Sequence, residues 1–212
     1  MIYFDNSASS FVKPKCVQKA VLNALNFFTA NPGRSGHKAS IKTALEVEKV
    51  RAKLAGHVGT NEENVVFTLN CTDALNLAIL GSYRPGGHVV CTTNEHNSVL
   101  RPLNHLCEID NTFSFSLAEQ SGKIGIVWQD IEKEICENTY LVIVNHISNV
   151  NGDVADITRI GQELKNRNIL FLVDGAQGGG HFKYDMKSQN INLLSLAPHK
   201  GFMPHKALEH FA

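Results

Sequence analysis

At 212 residues the chain is long enough to bury one substantial α/β core and too short for two full enzyme domains. Its 20 Lys plus Arg balance 20 Asp plus Glu, which excludes the basic excess of a nucleic-acid binder or a polybasic membrane anchor and favours small-molecule or protein partners. No apolar run of about 18 residues predicts a spanning helix, and Met1-Ile2-Tyr3-Phe4-Asp5 lacks the basic and apolar regions of a secretory signal. The five cysteines, at 16, 71, 91, 107 and 136, form no CxxC pair and no even framework, so a reducing compartment, mostly buried thiols and a cytosolic location are expected.

In chain order, Pro14 opens a helix in which Val17, Ala20, Val21, Leu25 and Phe28 recur at helical spacing. The turn-rich segment Asn31-Pro32-Gly33-Arg34-Ser35-Gly36-His37 follows, and a second helix is predicted over roughly 40–56 with Ser40 as its cap. From there short apolar runs alternate with helical patterns. Strands are expected at Val65–Thr68, His88–Thr92, Ile109–Phe115, Tyr140–Val144, Ile169–Val173 and Leu193–Leu196, and helices over 73–83, about 97–107, 128–137 and 156–167. Leu141-Val142-Ile143-Val144 and Ile169-Leu170-Phe171-Leu172-Val173 are apolar throughout, as strands covered on both faces are. The pattern predicts an α/β chain with a mainly parallel sheet. Gly178-Gly179-Gly180 has no P-loop spacing, and no complete GxGxxG is present, so nucleotide binding has no motif to rest on.

In such a sheet, ligands collect beyond the carboxyl ends of the strands. Lys200, just past the last apolar run, is either a surface lysine or a desolvated amine made nucleophilic towards an aldehyde. Asp174, ending another run, either caps a helix or accepts a proton from a ring nitrogen, and Gln177 lies near enough to bond the same ligand. Thr72 either caps the helix beginning at Asp73 or offers a hydroxyl beside free backbone amides to a phosphate, while Cys71 suits packing better than chemistry. His96 is a capping or surface histidine, or an imidazole that stacks on a planar group or moves protons. The ten histidines form no HExxH and no tight His/Cys spacing, so no metal ligands are assigned.

Seven segments in order carry a resemblance: Tyr3-Phe4-Asp5-Asn6-Ser7-Ala8, Asn31 to His37, Asn70-Cys71-Thr72-Asp73-Ala74-Leu75-Asn76, Glu95-His96-Asn97-Ser98, Ser148-Asn149-Val150-Asn151-Gly152, Val173-Asp174-Gly175-Ala176-Gln177 and Pro198-His199-Lys200-Gly201. Together they resemble the class V aminotransferase superfamily, most of all its cysteine desulfurase branch. The resemblance implies the large domain of a pyridoxal 5'-phosphate (PLP)-dependent transferase, with a mainly parallel, mixed sheet and flanking helices. It implies an N-terminal segment at 1–38, a partial cofactor-binding domain at 39–201 and a divergent tail at 202–212.

By the same resemblance Lys200 joins the cofactor aldehyde as an imine and moves protons at the substrate's α-carbon, Asp174 holds the pyridine nitrogen, and His96 stacks on the ring. Gln177 and Asn149 lie around the phenolic oxygen or the substrate carboxylate, and Thr72 with backbone amides near Cys71 and His199 holds the phosphate. The implied reaction takes cysteine to alanine and a persulfide, with a cysteine-like substrate, a possible sulfur-acceptor protein and a homodimer. A selenocysteine lyase, another class V aminotransferase and a non-catalytic fragment or interaction remnant are the alternatives. Pro198 departs from the small residue usual before the histidine, having neither hydroxyl nor N–H to give. Family enzymes are close to twice this long, so a truncation is expected, with the C-terminal small domain, the carboxylate-binding arginine and the sulfur-taking cysteine not among these residues.

Overall fold

The computed structural model describes residues 2–122 and 125–202, which divide into two compact units. The first comprises residues 1–67, 180–185 and 198–212, and the second residues 68–179 and 186–197. Of the tail expected at 202–212, all but Phe202 lies outside the described residues.

In the first unit, helix α1 (Lys15–Phe27) starts where proline allows it. Pro14 is the N-cap at φ −57°, the value its ring imposes. None of the helix's residues is buried, and Val21, Leu22, Leu25 and Phe27 are each more than half exposed. Helix α2 (Lys38–Val58) runs further than expected at both ends, and His37, not Ser40, caps it: the His37 Nδ1 accepts the Ser40 N–H at 3.2 Å. The Ser40 hydroxyl is occupied elsewhere, donating to the Asn31 carbonyl at 2.8 Å and so closing the loop ahead of the helix. Gly59, at φ 69°, ends α2 in the left-handed conformation that only glycine adopts without strain.

The strand expected at Val65–Thr68 joins no ladder among the described residues. Val65 is extended, at φ −97° and ψ 122°, but its carbonyl accepts from the Arg51 guanidinium, which lies 4.8 Å from the Phe67 ring centroid. Extended backbone and β-branched residues make a strand only when a partner completes the hydrogen bonds.

The second unit opens with α3 (Cys71–Gly81) and then alternates: β1 (His88–Thr92), α4 (Asn97–Ile109), β2 (Ser114–Ala118), α5 (Trp128–Glu132), β3 (Thr139–Asn145), α6 (Ile157–Leu164), β4 (Leu170–Asp174) and β5 (Leu193–Ser195). The five strands pair in the order β2-β1-β3-β4-β5, every pair parallel. The expectation of a parallel α/β sheet with flanking helices is met. β2 lies later than the predicted Ile109–Phe115 because Ile109 is the last residue of α4. Asp110 then accepts from the Thr112 N–H, the Gly86 N–H and the Tyr83 hydroxyl, turning the chain before any strand begins. α5 is half its predicted length, giving way to three-residue turns in which Glu134 N–H bonds Ile131 and Ile135 N–H bonds Glu132.

β3 is buried along its whole length. Val89, Cys91, Leu141, Ile143 and Leu172 meet Leu75 and Ile79 of α3 and Leu103 and Leu106 of α4 on one face. The alternate residues, such as Val142 and Phe171, point to the opposite face. At Gly161 helix α6 closely approaches the segment before β5, where any Cβ would overlap the Gln189 carbonyl oxygen. The chain passes from β1 out to β2 and back across to β3, so the strand order reverses between β1 and β3. In open α/β sheets such a switch point is where the loops leaving neighbouring strand ends diverge.

Truncating a side chain in this core has a defined cost. Ile143→Ala, at a fully buried position of the central strand, lowers stability by about 2–5 kcal/mol, read from the urea midpoint at constant slope. A loss under about 1 kcal/mol would contradict this packing.

Candidate functional site

Four strand ends and two helix starts place polar groups together in the second unit. Asp174, 3 % exposed, is the last residue of β4, paired in register with Asn145 on β3 and Ser195 on β5. Its Oδ1 accepts the Ala176 N–H at 2.9 Å, an interaction that turns the chain away from the strand. The Cys71 thiol lies 3.6 Å from the same oxygen and 2.8 Å from the Ser195 hydroxyl. Asp174 is thus at a strand end and caps none of the described helices, which removes one of its two sequence-level alternatives.

α3 brings the next two residues to this place. Asn70, not Thr72, is its N-cap, with Oδ1 accepting the Asp73 N–H at 2.9 Å. The Asp73 carboxylate bonds back to the Leu69 N–H at 3.2 Å. Relieved of capping, the Thr72 hydroxyl lies 2.8 Å from that of Ser98, and Ser98 Oγ lies 2.7 Å from the Nδ1 of His96. His96 is the N-cap of α4, its Nδ1 accepting the Ser98 N–H at 3.1 Å. That acceptance makes Nδ1 an acceptor and puts the ring's proton on Nε2, while either hydroxyl can donate across the Thr72–Ser98 contact. The capping alternative for His96 is therefore real, and it fixes the ring without using Nε2. Cys71 and Thr72, adjacent at the start of α3, join the Asp174 cluster to the His96 network.

Two buried titratable groups adjoin these residues. Glu95 is buried, its Oε1 accepting from the Thr92 hydroxyl at 2.8 Å and the Asn145 N–H at 2.7 Å. Desolvation, aided by the nearby Asp174 charge, pushes its carboxyl up to about 7. His146, directly after β3, is 4 % exposed, and its burial holds the imidazole down to about 4. Asn149 is exposed on the loop after β3, and Gln177 is half-buried in the turn after β4. His199 and Lys200 belong to the first unit. There the Ser10 hydroxyl donates to the Lys200 carbonyl at 2.6 Å, and Gly180, at φ 84°, leaves room that a Cβ would take from the Gly201 carbonyl. Sequence reasoning assigned no role to Glu95, Ser98, His146 or Ser195. Glu95 and Ser98 stand in the same short motif as His96, and Ser195 ends an apolar run, so position relative to strand ends was the available signal.

The carboxyl ends of a parallel sheet thus gather an aspartate, the start of α3 and a helix-capping histidine, the place where α/β folds bind ligands. The chain matches the aminotransferase class-V family over residues 2–205 and belongs to it. A probable cysteine desulfurase of Borreliella burgdorferi is 34 % identical, covering 96 % of this chain and 49 % of the relative. The apo structure of a cysteine desulfurase from Thermococcus onnurineus superposes with a TM-score of 0.87 at 31 % identity, covering 96 % of this chain and 51 % of that one. A structure described as SspA in complex with cysteine gives 0.86 at 29 % identity, with 96 % and 59 % covered. The chain spans about half the length of the curated relatives it matches.

The two buried groups act on stability in opposite senses. Glu95 binds its proton more tightly folded than unfolded, so its contribution is full below pH 4.5 and is lost as pH rises to about 7. His146 binds its proton less tightly when folded, so its contribution is present above pH 6.5 and is lost as pH falls to about 4. In the native chain the two slopes oppose each other across pH 4.5–6.5. Glu95→Gln unmasks the histidine: stability then rises with pH in that window by up to about 1.4 kcal/mol per unit, as denaturant titrations at stepped pH measure. An unchanged pH profile in Glu95→Gln would refute the assignment.

Proposed function

We propose that this chain is the cofactor-binding part of a PLP-dependent enzyme that takes sulfur from cysteine or a close analogue. Family and fold imply PLP. The observation that carries the reading is the buried Asp174 carboxylate at the end of β4, gathered with the start of α3 and the His96 network. The donor set fits the group. Three parts of the cofactor have different needs: an acceptor for a ring N–H, donors for a phosphate and a flat contact for the ring. Asp174 is the acceptor, the Thr72 hydroxyl and first-turn amides of α3 are the donors, and His96 is the flat contact. The Asp73 charge does not oppose a phosphate directly, since its carboxylate is turned back onto Leu69.

When bound, PLP supplies an electron sink that makes bonds at the substrate's α-carbon labile. The chain's residues do the rest. By the family resemblance, Lys200 would hold the cofactor through its amine and move the proton at the α-carbon. Asp174 would keep the ring nitrogen protonated. Gln177 and Asn149 would orient the phenolic oxygen or the substrate carboxylate, and the backbone near His199 would add to the phosphate contacts. The sulfur-accepting thiol is assigned to none of the five cysteines. Cys91, for example, is fully buried, and desolvation pushes its thiol far above neutrality, so it holds no thiolate. The likeness to SspA in complex with cysteine and to probable cysteine desulfurases supports cysteine as the substrate class.

Reconstitution tests the reading. The purified chain mixed with PLP acquires a visible absorbance band that survives gel filtration, and Lys200→Ala loses it. Asp174→Ala, which removes a charge-assisted hydrogen bond, weakens cofactor binding about 10–100-fold. A chain with no lysine-dependent band would end the proposal.

A further inference from the structure

Glu95 lies where the strand order reverses, and its two carboxyl oxygens have different surroundings. Oε1 accepts from the Thr92 hydroxyl, at the end of β1, and from the Asn145 N–H, at the end of β3. The Asn145 side chain returns a hydrogen bond to the Asn94 carbonyl at 3.1 Å, so the two strand ends are tied to each other on either side of Glu95. The next residue is His96, whose ring is held from its other side by Ser98. Oε2 is buried and has no hydrogen-bond partner among the described residues. A carboxylate oxygen enclosed without a donor is an arrangement suited to the neutral acid and costly for the anion. The surrounding charges agree: Asp174 faces it from β4, Cys91 from β1, and His146 follows Asn145 on β3, and desolvation keeps that thiol and that imidazole uncharged near neutrality.

We propose that Glu95 is a positioning residue of the cofactor site, a carboxylic acid kept neutral that clamps the turn carrying His96 onto the end of β3 and leaves the negative charge at that place to Asp174. It acts through His96 and Asp174 and touches no cofactor atom itself. The clamp stands on the cofactor-free chain, and only its consequence for PLP rests on the function proposed above.

The experiment therefore has a cofactor-free arm and a loaded arm. Carbon-13 NMR of glutamate carboxyls in the cofactor-free chain, with the Glu95 signal identified by its absence in Glu95→Gln, is expected to titrate more than about one pH unit above ordinary glutamate. A midpoint in the ordinary range would overturn the neutral-acid claim. Thr92→Val removes one donor from Oε1 while keeping its shape, and it raises that midpoint further, whereas a fall or no change counts against the clamp. Nitrogen-15 spectra of the His96 ring are expected to keep the Nε2-protonated signature in Glu95→Gln and lose it in Glu95→Ala. An unaltered signature in Glu95→Ala would overturn the positioning role. In the loaded arm, Glu95→Ala binds PLP about tenfold more weakly and shifts the visible band, while Glu95→Gln restores both towards the native values. Native binding with an unaffected Glu95→Ala refutes the consequence for the site. A native chain that takes up no PLP refutes the function proposed above, and the cofactor-free arm then decides the clamp by itself.

Discussion

Parallel pairing is the constraint on which the rest of the second unit depends. Because β1 to β5 all run the same way, each ends at the same edge of the sheet, and whatever polar residue follows a strand is delivered there. β1, β3 and β4 are buried through their middles, and a chemical group fits only where their apolar runs stop. Register then does fine positioning. Asn145, Asp174 and Ser195 are consecutive partners across β3, β4 and β5, so three strand-terminal side chains form a row without any loop having to bring them together.

That edge is electrically expensive. Asp174 and Glu95 are both carboxyls, both buried, and close enough for the charge on one to oppose ionisation of the other. The fold accommodates them by giving them different partners. Asp174 receives a backbone N–H and has a thiol and a hydroxyl beside it, whereas Glu95 satisfies one oxygen and leaves the other without a donor. Two chemically similar side chains at one sheet edge are thereby divided into a candidate anion and a neutral clamp.

The first unit has a different character. Its longest helix, α2, is defined by end chemistry, with an imidazole at its start and a left-handed glycine at its end, while α1 buries none of its residues. The backbone beside Lys200 is held by Ser10 and by the absence of a side chain at Gly180. Lysine position there is a matter of backbone contact, not of strand register.

Much of this was legible in the residues. Apolar runs located β1, β3, β4 and β5 to within a residue at their ends, because burial on both faces leaves a continuous apolar stretch, and the rule that ligands gather beyond parallel strands selected Asp174, His96 and Thr72 as candidates. The resemblance to class V aminotransferases followed from ordered short motifs. Tertiary structure alone decided what competes for each donor and acceptor. Ser40 lost its cap to His37 because Asn31 claimed its hydroxyl, Thr72 yielded capping to Asn70 and turned to Ser98, and Val65–Thr68 joined no ladder for want of a neighbouring strand among the described residues. Glu95 is the clearest case. In sequence it is an ordinary carboxylate, and only the parallel pairing of β1 with β3 encloses it, since burial and hydrogen-bond satisfaction depend on a residue 50 positions away in sequence.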